Sequence, residues 1–420
     1  MQRARIALPY FRALGWKPVV LAVAPESIEG AVLDPLLEKT YPSDVRVVRV
    51  KGIHPKFTRW AGIGSLWWRC GRALRKAGDR LLATEKFDLV FFTTTQFDAF
   101  TFGPRWMKRF GVPYVLDYQD PWINNYYRLT RTRPPGGWLR FGISQFTARQ
   151  REPRVITQAG AVISVSTKYN DELHKRYSSL NPARLYHVPF GAAAADLEIA
   201  RELNPSQSLL PLDDDKKIHL VYTGRCGLDI MGRALSILFK ALQLFRQAAP
   251  SEAARLHFHF IGTGYAPPPL GQNSVTPMAE SEGVANQVSE ICYRVPYFEA
   301  LHTLVHADAL LVIGSDDASY NASKIFPYLL ARRPLLAIVH EDSLMMKEVR
   351  KQNPDSCFGF GHDSSATSLD AMAHRICNEW FLQQGWKRPP TGDMKLLEPH
   401  MAESMTRRLV EIFDAVVQRA

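Results

Sequence analysis

The chain has 420 residues, 46% hydrophobic and 22% charged, which is typical of globular proteins long enough for two domains. Because no apolar run reaches the roughly 18 residues of a membrane-spanning helix, we expect no transmembrane segment, and we recognise no secretory signal. The net charge of +11 indicates attraction to anionic partners.

The cysteines are few and scattered, with no CxxC spacing and no neighbouring histidine cluster; they are Cys70, Cys226, Cys292, Cys357 and Cys377. This pattern argues against a disulfide framework and against a zinc site, and it favours a reducing cytoplasm. The sequon at Asn321 is read as unmodified for the same reason.

Basic residues are concentrated in the first 155 residues; they include Lys56, Arg59, Arg69, Arg72, Arg75, Lys76, Lys108, Arg109, Arg128, Arg131, Arg133, Arg140, Arg149, Arg151 and Arg154. In the segment GSLWWRCGRALRKAGDRLL, Trp67 and Trp68 alternate with arginines. The segment is therefore either a helix at an anionic membrane surface or a core helix with a solvated basic face. No recognition motif accompanies the charge, so we expect no nucleic-acid partner.

Short apolar strands alternate with helices along the whole chain, which predicts an α/β protein with parallel sheets covered on both faces. The first series contains KPVVLAV, RVVRV, FDLVFFTT, a helix from Phe97 to Phe110, VPYVLDY, AGAVISVS and RLYHVPF. The second contains IHLVYTG, a helix from Ala234 to Ala249, LHFHFIGTG, a helix from Phe298 to Ala307, ADALLVIG, a further helix and PLLAIV.

Between the two series, residues 202–217 are polar and contain prolines, as in a linker. We therefore predict an N-terminal domain over 1–201 and a C-terminal domain over 218–395. Residues 396–420 follow, and their apolar positions have the spacing of an amphipathic helix.

Ligands of open α/β sheets bind beyond the carboxyl ends of the strands. Four loops stand there: Gly224-Arg225, Gly262-Thr263-Gly264, Gly314 to Asp317, and Asp117 to Asp120. Arg225 is a permanently charged donor suited to phosphate oxygens, and its alternative is an ion pair with Asp229. The GTG sequence alone is only a fragment of a dinucleotide fingerprint.

The segment YNASKIFPYLLARRPLLAI places a cation at the start of an apolar helix. Asn321 or Ser323 can cap that helix, and its first N–H groups face any approaching anion. Lys324 is unfavourable at a helix N-terminus without an anion, so it indicates a phosphate there. The alternative is a lysine solvated at a fraying helix end.

Carboxylates offer two further readings. Asp213 to Asp215 are interpreted as a solvated charge run. Asp316 and Asp317 are better placed, but Arg225 and Lys324 supply the positive charge, so no metal and no cofactor are predicted. Asp120 either faces a sugar or acceptor hydroxyl at the rim of an inter-domain cleft or caps a helix that starts at Pro121.

Taken together, FDLVFFTT, VPYVLDYQDPW, LVYTGR, FHFIGTG, ADALLVIGSDD and SKIFPYLLARRPLLAI resemble the corresponding elements of GT-B glycosyltransferases of the family 4-like group. The resemblance implies two Rossmann-like domains facing across a cleft, a C-terminal helix crossing back, and metal-independent transfer with retention of configuration. It implies that Arg225 and Lys324 neutralise the departing diphosphate, that Gly262 and Gly264 lie near the nucleoside, and that Asp120 lies near the sugar.

The donor site inferred from this resemblance has further members: Gly224, Asp316, Ser323 and Tyr328. Three features depart from the family pattern. Ser319 and Pro327 replace paired glutamates, Gln119 replaces a histidine, and the chain begins at a helix where the family has a first strand. We expect that Met1 is internal to a longer gene product, since losing a central strand would leave backbone groups unpaired.

The leading hypothesis is a cytoplasmic, peripherally membrane-associated glycosyltransferase. Its partners would be a nucleotide-diphosphate sugar donor, a polysaccharide or lipid-linked acceptor, and an anionic membrane surface. A sugar-nucleotide epimerase and a catalytically weak GT-B-like binding or scaffold protein are the alternatives.

Overall fold

The computed structural model describes residues 2–28, 33–58, 65–124, 126–129, 134, 136–204, 208–211, 216–266, 268, 270–318, 325–363 and 365–420. The strands are β1 (Val19–Val23), β2 (Arg46–Val50), β3 (Val90–Thr93), β4 (Tyr114–Tyr118), β5 (Ala161–Ser164), β6 (Leu185–His187), β7 (Ile218–Thr223), β8 (Leu256–Ile261), β9 (Val288–Ile291), β10 (Ala309–Ile313), β11 (Leu335–His340) and β12 (Cys357–Phe360).

The α-helices of the described residues are α1 (Gln2–Phe11), α2 (Pro55–Thr58), α3 (Leu66–Thr84), α4 (Phe102–Phe110), α5 (Tyr126–Leu129), α6 (Gly137–Thr157), α7 (Thr167–Arg176), α8 (Ala194–Glu202), α9 (Leu228–Ala248), α10 (Pro250–Ala253), α11 (Thr276–Ser281), α12 (Tyr297–His306), α13 (Ile325–Ala331), α14 (Leu344–Gln352), α15 (Ala366–Ile376) and α16 (Ala402–Val417). None of these helices combines the length and the apolar character needed to cross a membrane.

The chain divides into two compact units. Unit 1 contains residues 1–31, 41–191 and 402–420, and unit 2 contains residues 32–40 and 192–401. Residues 192–201, expected in the N-terminal domain, therefore lie in unit 2. The C-terminal helix α16 is part of unit 1, so the chain returns to its N-terminal unit as the resemblance implied.

Unit 2 contains a six-stranded parallel sheet in the order β12-β11-β10-β7-β8-β9. Successive residues of its central strands enter different cores. In β10, Leu311 packs with one cluster, and Leu310 and Val312 pack with the cluster on the opposite face. This is the doubly covered sheet that the near-continuous apolar runs predicted. Strands β9 and β12 were not predicted.

Unit 1 contains a four-stranded parallel sheet, β3-β4-β5-β6, and a separate parallel pair, β1-β2. The first series of predicted strands therefore forms two sheets, since no strand pairing joins β1 to β3 in the described residues. Every residue of β4 and β5 is buried, whereas all of β1 is half-buried. The core of unit 1 therefore centres on the four-stranded sheet.

Helix α3 contains the Trp-rich basic segment. Trp67 packs against Phe102 with ring centroids 5.2 Å apart, and Leu74 and Leu82 also contact the core of unit 1. Trp68, in contrast, is 71% exposed. Most of the apolar face of α3 thus serves the core, as the second of the two interpretations predicted.

Candidate functional site

The parallel sheet of unit 2 has one point at which its strand order reverses. From β7 the chain adds β8 and then β9 on one side, and β10 pairs with β7 on the other side. Loops after β7 and β10 leave the sheet at this reversal, where ligands of open α/β sheets bind. The sequence-predicted loops Gly224-Arg225 and Gly314 to Asp317 follow these two strands.

Two glycines form the floor of the candidate site. Gly224 and Gly262 have φ angles of 113° and 72°, which residues with a Cβ rarely adopt. The Gly224 N–H donates to the Ile261 carbonyl at 2.8 Å, and the Cys226 N–H donates to the Thr263 carbonyl at 3.3 Å. The loops after β7 and β8 therefore lie side by side, as the prediction that both belong to one site requires.

Two other glycines allow close backbone approach around these loops. A Cβ on Gly264 would lie 2.5 Å from the Cys292 carbonyl oxygen, and one on Gly314 would lie 2.7 Å from Cα of Val339. Any side chain at either position would displace the neighbouring backbone. Backbone packing alone therefore requires glycine at these two positions, whether or not a ligand binds nearby.

Arg225 lies at the edge of the site, but its guanidinium is already engaged. Its Nη2 donates to Oδ2 of Asp229 at 2.6 Å, and its Nη1 donates to the Cys226 carbonyl at 2.8 Å. The arginine side chain is 25% exposed and the aspartate side chain 48%. The alternative of an ion pair with Asp229 is therefore present, and a diphosphate would have to compete with that carboxylate.

Asp316 belongs to the loop after β10, and its carboxylate lies at the N-terminal end of α9. The helix has a non-helical residue at Met231, with φ −137°, so its regular part starts just after that residue. Oδ1 of Asp316 accepts from the Arg233 N–H at 3.2 Å. Burial raises the pKa of Asp316, and hydrogen bonds from the Arg233 and Gly232 backbone oppose that rise. A carboxylate of the protein thus occupies the anion-binding end of α9.

Tyr328 is buried beneath the site. Its hydroxyl accepts from the Thr223 N–H at 2.6 Å and donates to the Thr223 carbonyl at 3.1 Å. It therefore holds the last residue of β7, next to Gly224. The predicted contact of Tyr328 with a donor remains a prediction.

Lys324 and Ser323 of the SK segment lie outside the described residues, as do Asn321 and Ser319. The structure describes this segment from α13 (Ile325–Ala331) onward, and Pro327 lies inside that helix. The role assigned to the Ser-Lys pair therefore stays a prediction.

Glu290 was missed by the sequence analysis. On β9, its Oε1 accepts from Oγ1 of Thr263 at 2.5 Å and from the Ser274 N–H at 2.9 Å, while Oε2 accepts from the Thr276 N–H at 2.8 Å. One carboxylate thus ties the GTG loop to the start of α11. The segment VSEI gave no strand signal, because two of its four residues are polar.

Unit 1 places Asp117 and Asp120 at the carboxyl end of β4. Asp117 is fully buried, and its Oδ2 accepts from Nε of Arg3 at 2.9 Å and from Nε2 of Gln119 at 2.8 Å. Burial lowers the pKa of Arg3, and its attraction to Asp117 opposes that shift. Gln119 therefore helps to hold a structural ion pair.

Asp120 has a different environment. The residue is exposed to solvent on one side. On its other sides the protein partly desolvates the carboxyl group, which raises the pKa of Asp120. No helix starts at Pro121, so the helix-cap interpretation of Asp120 is wrong. Its carboxylate is therefore available to solvent at a strand end.

Three groups in unit 2 could hold a metal ion: His340, Asp342 and His362 offer ligand atoms within 4.8 Å of one another. His340 is fully buried, and its Nε2 has no hydrogen-bond partner in the described structure. The other two side chains are 63% and 80% exposed. The expectation of no metal remains untested.

Residues 7–191 match the family model described as a glycosyl transferase 4-like domain. No curated protein matches the chain. A glycosyltransferase from Rickettsia africae is 12% identical with a TM-score of 0.52, covering 100% of this chain and 95% of that chain.

Two further solved structures are similar. For Burkholderia multivorans α,α-trehalose 6-phosphate synthase the identity is 11% and the TM-score 0.52, over 96% of this chain and 99% of that chain. For Anabaena Alr3699/HepE in complex with UDP-glucose the identity is 13% and the TM-score 0.51, over 95% of this chain and 98% of that chain. At such identities the likeness supports the fold. Residues 7–191 therefore belong to a glycosyl transferase 4-like domain, and the chain has the GT-B fold of two Rossmann-like domains.

Proposed function

We propose that the protein transfers a sugar from a nucleotide-diphosphate sugar to a polysaccharide or lipid-linked acceptor. The observation that carries the proposal is the pair of adjacent glycine loops at the strand reversal of unit 2, with Arg225 on one of them. The similar Anabaena protein was solved with UDP-glucose, which makes this compound the first donor to try.

In this proposal Arg225 binds the diphosphate. Negative charge develops on the leaving diphosphate as the glycosidic bond breaks, and a guanidinium in place at that moment stabilises the transition state. The arginine changes partner, from Asp229 to phosphate oxygens, without leaving its loop. Lys324 is assigned the second positive charge.

Asp120 is proposed to hold the transferred sugar, because its carboxylate is exposed at a strand end and can accept hydrogen bonds from sugar hydroxyl groups. Transfer is proposed to retain anomeric configuration and to need no metal, since two cations neutralise the diphosphate. Residence on the inner face of the membrane is proposed from the basic charge of the first 155 residues.

The test is calorimetric titration of the full chain with UDP and with UDP-glucose. Arg225→Ala is expected to weaken binding by about 10- to 100-fold, the loss of one or two charge-assisted hydrogen bonds. Asp229→Asn frees the guanidinium and is expected to keep or tighten binding. Equal affinity of wild type and Arg225→Ala would refute the assignment.

Arg255 provides a matched control. Like Arg225 it is an arginine of unit 2 in a local ion pair, here with Glu252 at 3.3 Å, but it follows α10 rather than a sheet strand. Arg255→Ala is expected to leave affinity unchanged. Product anomers analysed by NMR, with and without EDTA, test retention and metal independence.

One observation favours a catalytically weak binding protein as second candidate. The carboxylate of Asp316 and the Arg225–Asp229 pair together occupy the groups that a diphosphate would use. Nucleotide binding without release of nucleoside diphosphate over a panel of acceptors would support this candidate against the enzyme.

A further inference from the structure

Helix α6 of unit 1 has an apolar stripe on its solvent side. Leu139, Ile143 and Phe146 are 79%, 58% and 63% exposed. Their spacing of four and three residues places them within about 60° of one another around the helix axis. The buried residues of α6 include Ala148, Val155 and Ile156. The core is thus served by other positions, and the stripe is a second apolar surface on the same helix.

Arginines flank this stripe. Arg149 lies on one side of it around the helix and Arg154 on the other; both are exposed and make no ion pair or hydrogen bond within the described residues. The sequence from 128 to 154 has one acidic residue, Glu152, which is buried, and its arginines are Arg128, Arg131, Arg133, Arg140, Arg149, Arg151 and Arg154. Among the described residues of α6, two exposed positive charges, Arg149 and Arg154, therefore border the stripe.

We propose that the stripe Leu139-Ile143-Phe146 inserts into the surface of an anionic membrane, with the flanking arginines at the lipid headgroups. Exposed large apolar side chains at helical spacing, bordered by arginines, are the pattern of interfacial helices. A second copy of the chain is a poorer occupant. Pairing two stripes would bring Arg149 and Arg154 of each copy close to those of the other, at a cost in like-charge repulsion.

This inference rests on the peripheral membrane association proposed above and moves it from α3 to α6. Because Trp67, Leu74 and Leu82 of α3 pack in the core, α3 has Trp68 as its exposed large apolar side chain. The stripe of α6 offers three such side chains in a row.

The experiment is co-sedimentation of the full chain with vesicles, without any sugar donor. Vesicles of phosphatidylcholine alone are compared with vesicles of phosphatidylcholine mixed with phosphatidylglycerol. Wild type is expected to bind the anionic vesicles more tightly, and less so as salt rises. The variant Leu139→Ser, Ile143→Ser, Phe146→Ser is expected to bind them about tenfold or more weakly.

Two further variants locate the surface. Trp68→Ser removes one exposed apolar side chain from α3 and is expected to bind almost as wild type. Arg149→Gln with Arg154→Gln is expected to lose most of the preference for anionic vesicles. Unchanged melting temperature and unchanged UDP affinity show that each variant is folded, so failure here is separable from failure of the donor site.

Three results would overturn the inference. Wild type does not sediment with either vesicle; the triple variant binds as wild type does; or Trp68→Ser alone abolishes binding. Light scattering tests whether a second copy of the chain binds the stripe instead. A wild-type dimer that becomes a monomer in the triple variant would show a contact between copies and would also overturn the inference.

Discussion

Arg225 illustrates how one residue combines two interpretations of the sequence. It stands at the strand end that the phosphate prediction requires, and it makes the ion pair with Asp229 that the alternative requires. A partly exposed pair of this kind contributes little to stability, about 0 to 1 kcal/mol. It can therefore be exchanged for a diphosphate at small cost.

Glu290 provides the first prediction at the scale of the residue. Replacing it by alanine removes the acceptor of three backbone N–H groups and the hydroxyls of Thr263, Ser274 and Thr276. We expect the free energy of unfolding of unit 2 to fall by about 2 kcal/mol, the usual loss for hydrogen bonds to a charged group. Thermal unfolding monitored by circular dichroism measures it.

The pH dependence of this effect has a defined sign. Burial alone would raise the pKa of Glu290, but hydrogen bonds from Ser274, Thr263 and Thr276 outweigh it and lower the pKa. The stabilisation is therefore full above the ordinary glutamate pKa and is lost as pH falls through the lowered value. The difference between wild type and Glu290→Ala should shrink in acid. Glu280→Ala, an exposed glutamate of α11, is the control and should change little at any pH.

At the scale of the element, α9 and α16 show that the sequence predicts the presence of a helix better than its first residue. Helix α16 was predicted from apolar positions at helical spacing, because a periodic stripe needs no partner to be recognised, and α9 was predicted from the alternation of strands and helices. The start of α9 was placed several residues late. The reason is its first turn, where Met231 is non-helical and Asp316 caps the regular helix from a distant loop.

Phe413 provides the prediction for α16. Its ring is 2% exposed and lies 5.0 Å from the ring of Phe91, 5.4 Å from Trp16 and 6.1 Å from Phe11. Phe413→Ala should lower the free energy of unfolding of unit 1 by about 3 kcal/mol, because it leaves a cavity among three aromatic rings. Chemical denaturation monitored by tryptophan fluorescence measures the loss.

The neighbouring Glu411 is exposed on the same helix, so Glu411→Ala serves as the control for α16 and should change stability by less than about 0.5 kcal/mol. Equal stability of Phe413→Ala and Glu411→Ala would show that the last helix is not packed as described.

At the scale of the whole molecule, each unit has its own core, so calorimetry should resolve two unfolding transitions. UDP-glucose at about a hundredfold excess over its Kd should stabilise unit 2 by about 2.7 kcal/mol and leave the unit 1 transition in place. Phe413→Ala and Glu290→Ala identify the two transitions, since each lowers one of them. A ligand shift confined to the transition that Phe413→Ala lowers would contradict the placement of the donor site.

The position of some candidate residues could be predicted. Gly224, Arg225, Gly262 and Gly264 follow strands as expected, because strand ends followed by glycine can be read locally, and their role in donor binding stays a prediction. Glu290 and Arg3 could not be found, since their partners are far away in the chain: Arg3 binds Asp117, 114 residues on. The exposure of Trp68 and of the α6 stripe could not be predicted either, because it depends on which distant segments cover each helix.

The sequence by itself determined the alternation of strands and helices, the α/β class and the loops that leave the carboxyl ends of the strands, because each depends on residues close together in the chain. Tertiary structure decided which apolar faces are buried, which carboxylates cap which helices, and that α16 belongs to unit 1. These depend on contacts between distant segments, and a local pattern has no information about its distant partner. An amphipathic helix such as α3 or α6 states only that one face is apolar, and the fold decides whether that face is buried in a core.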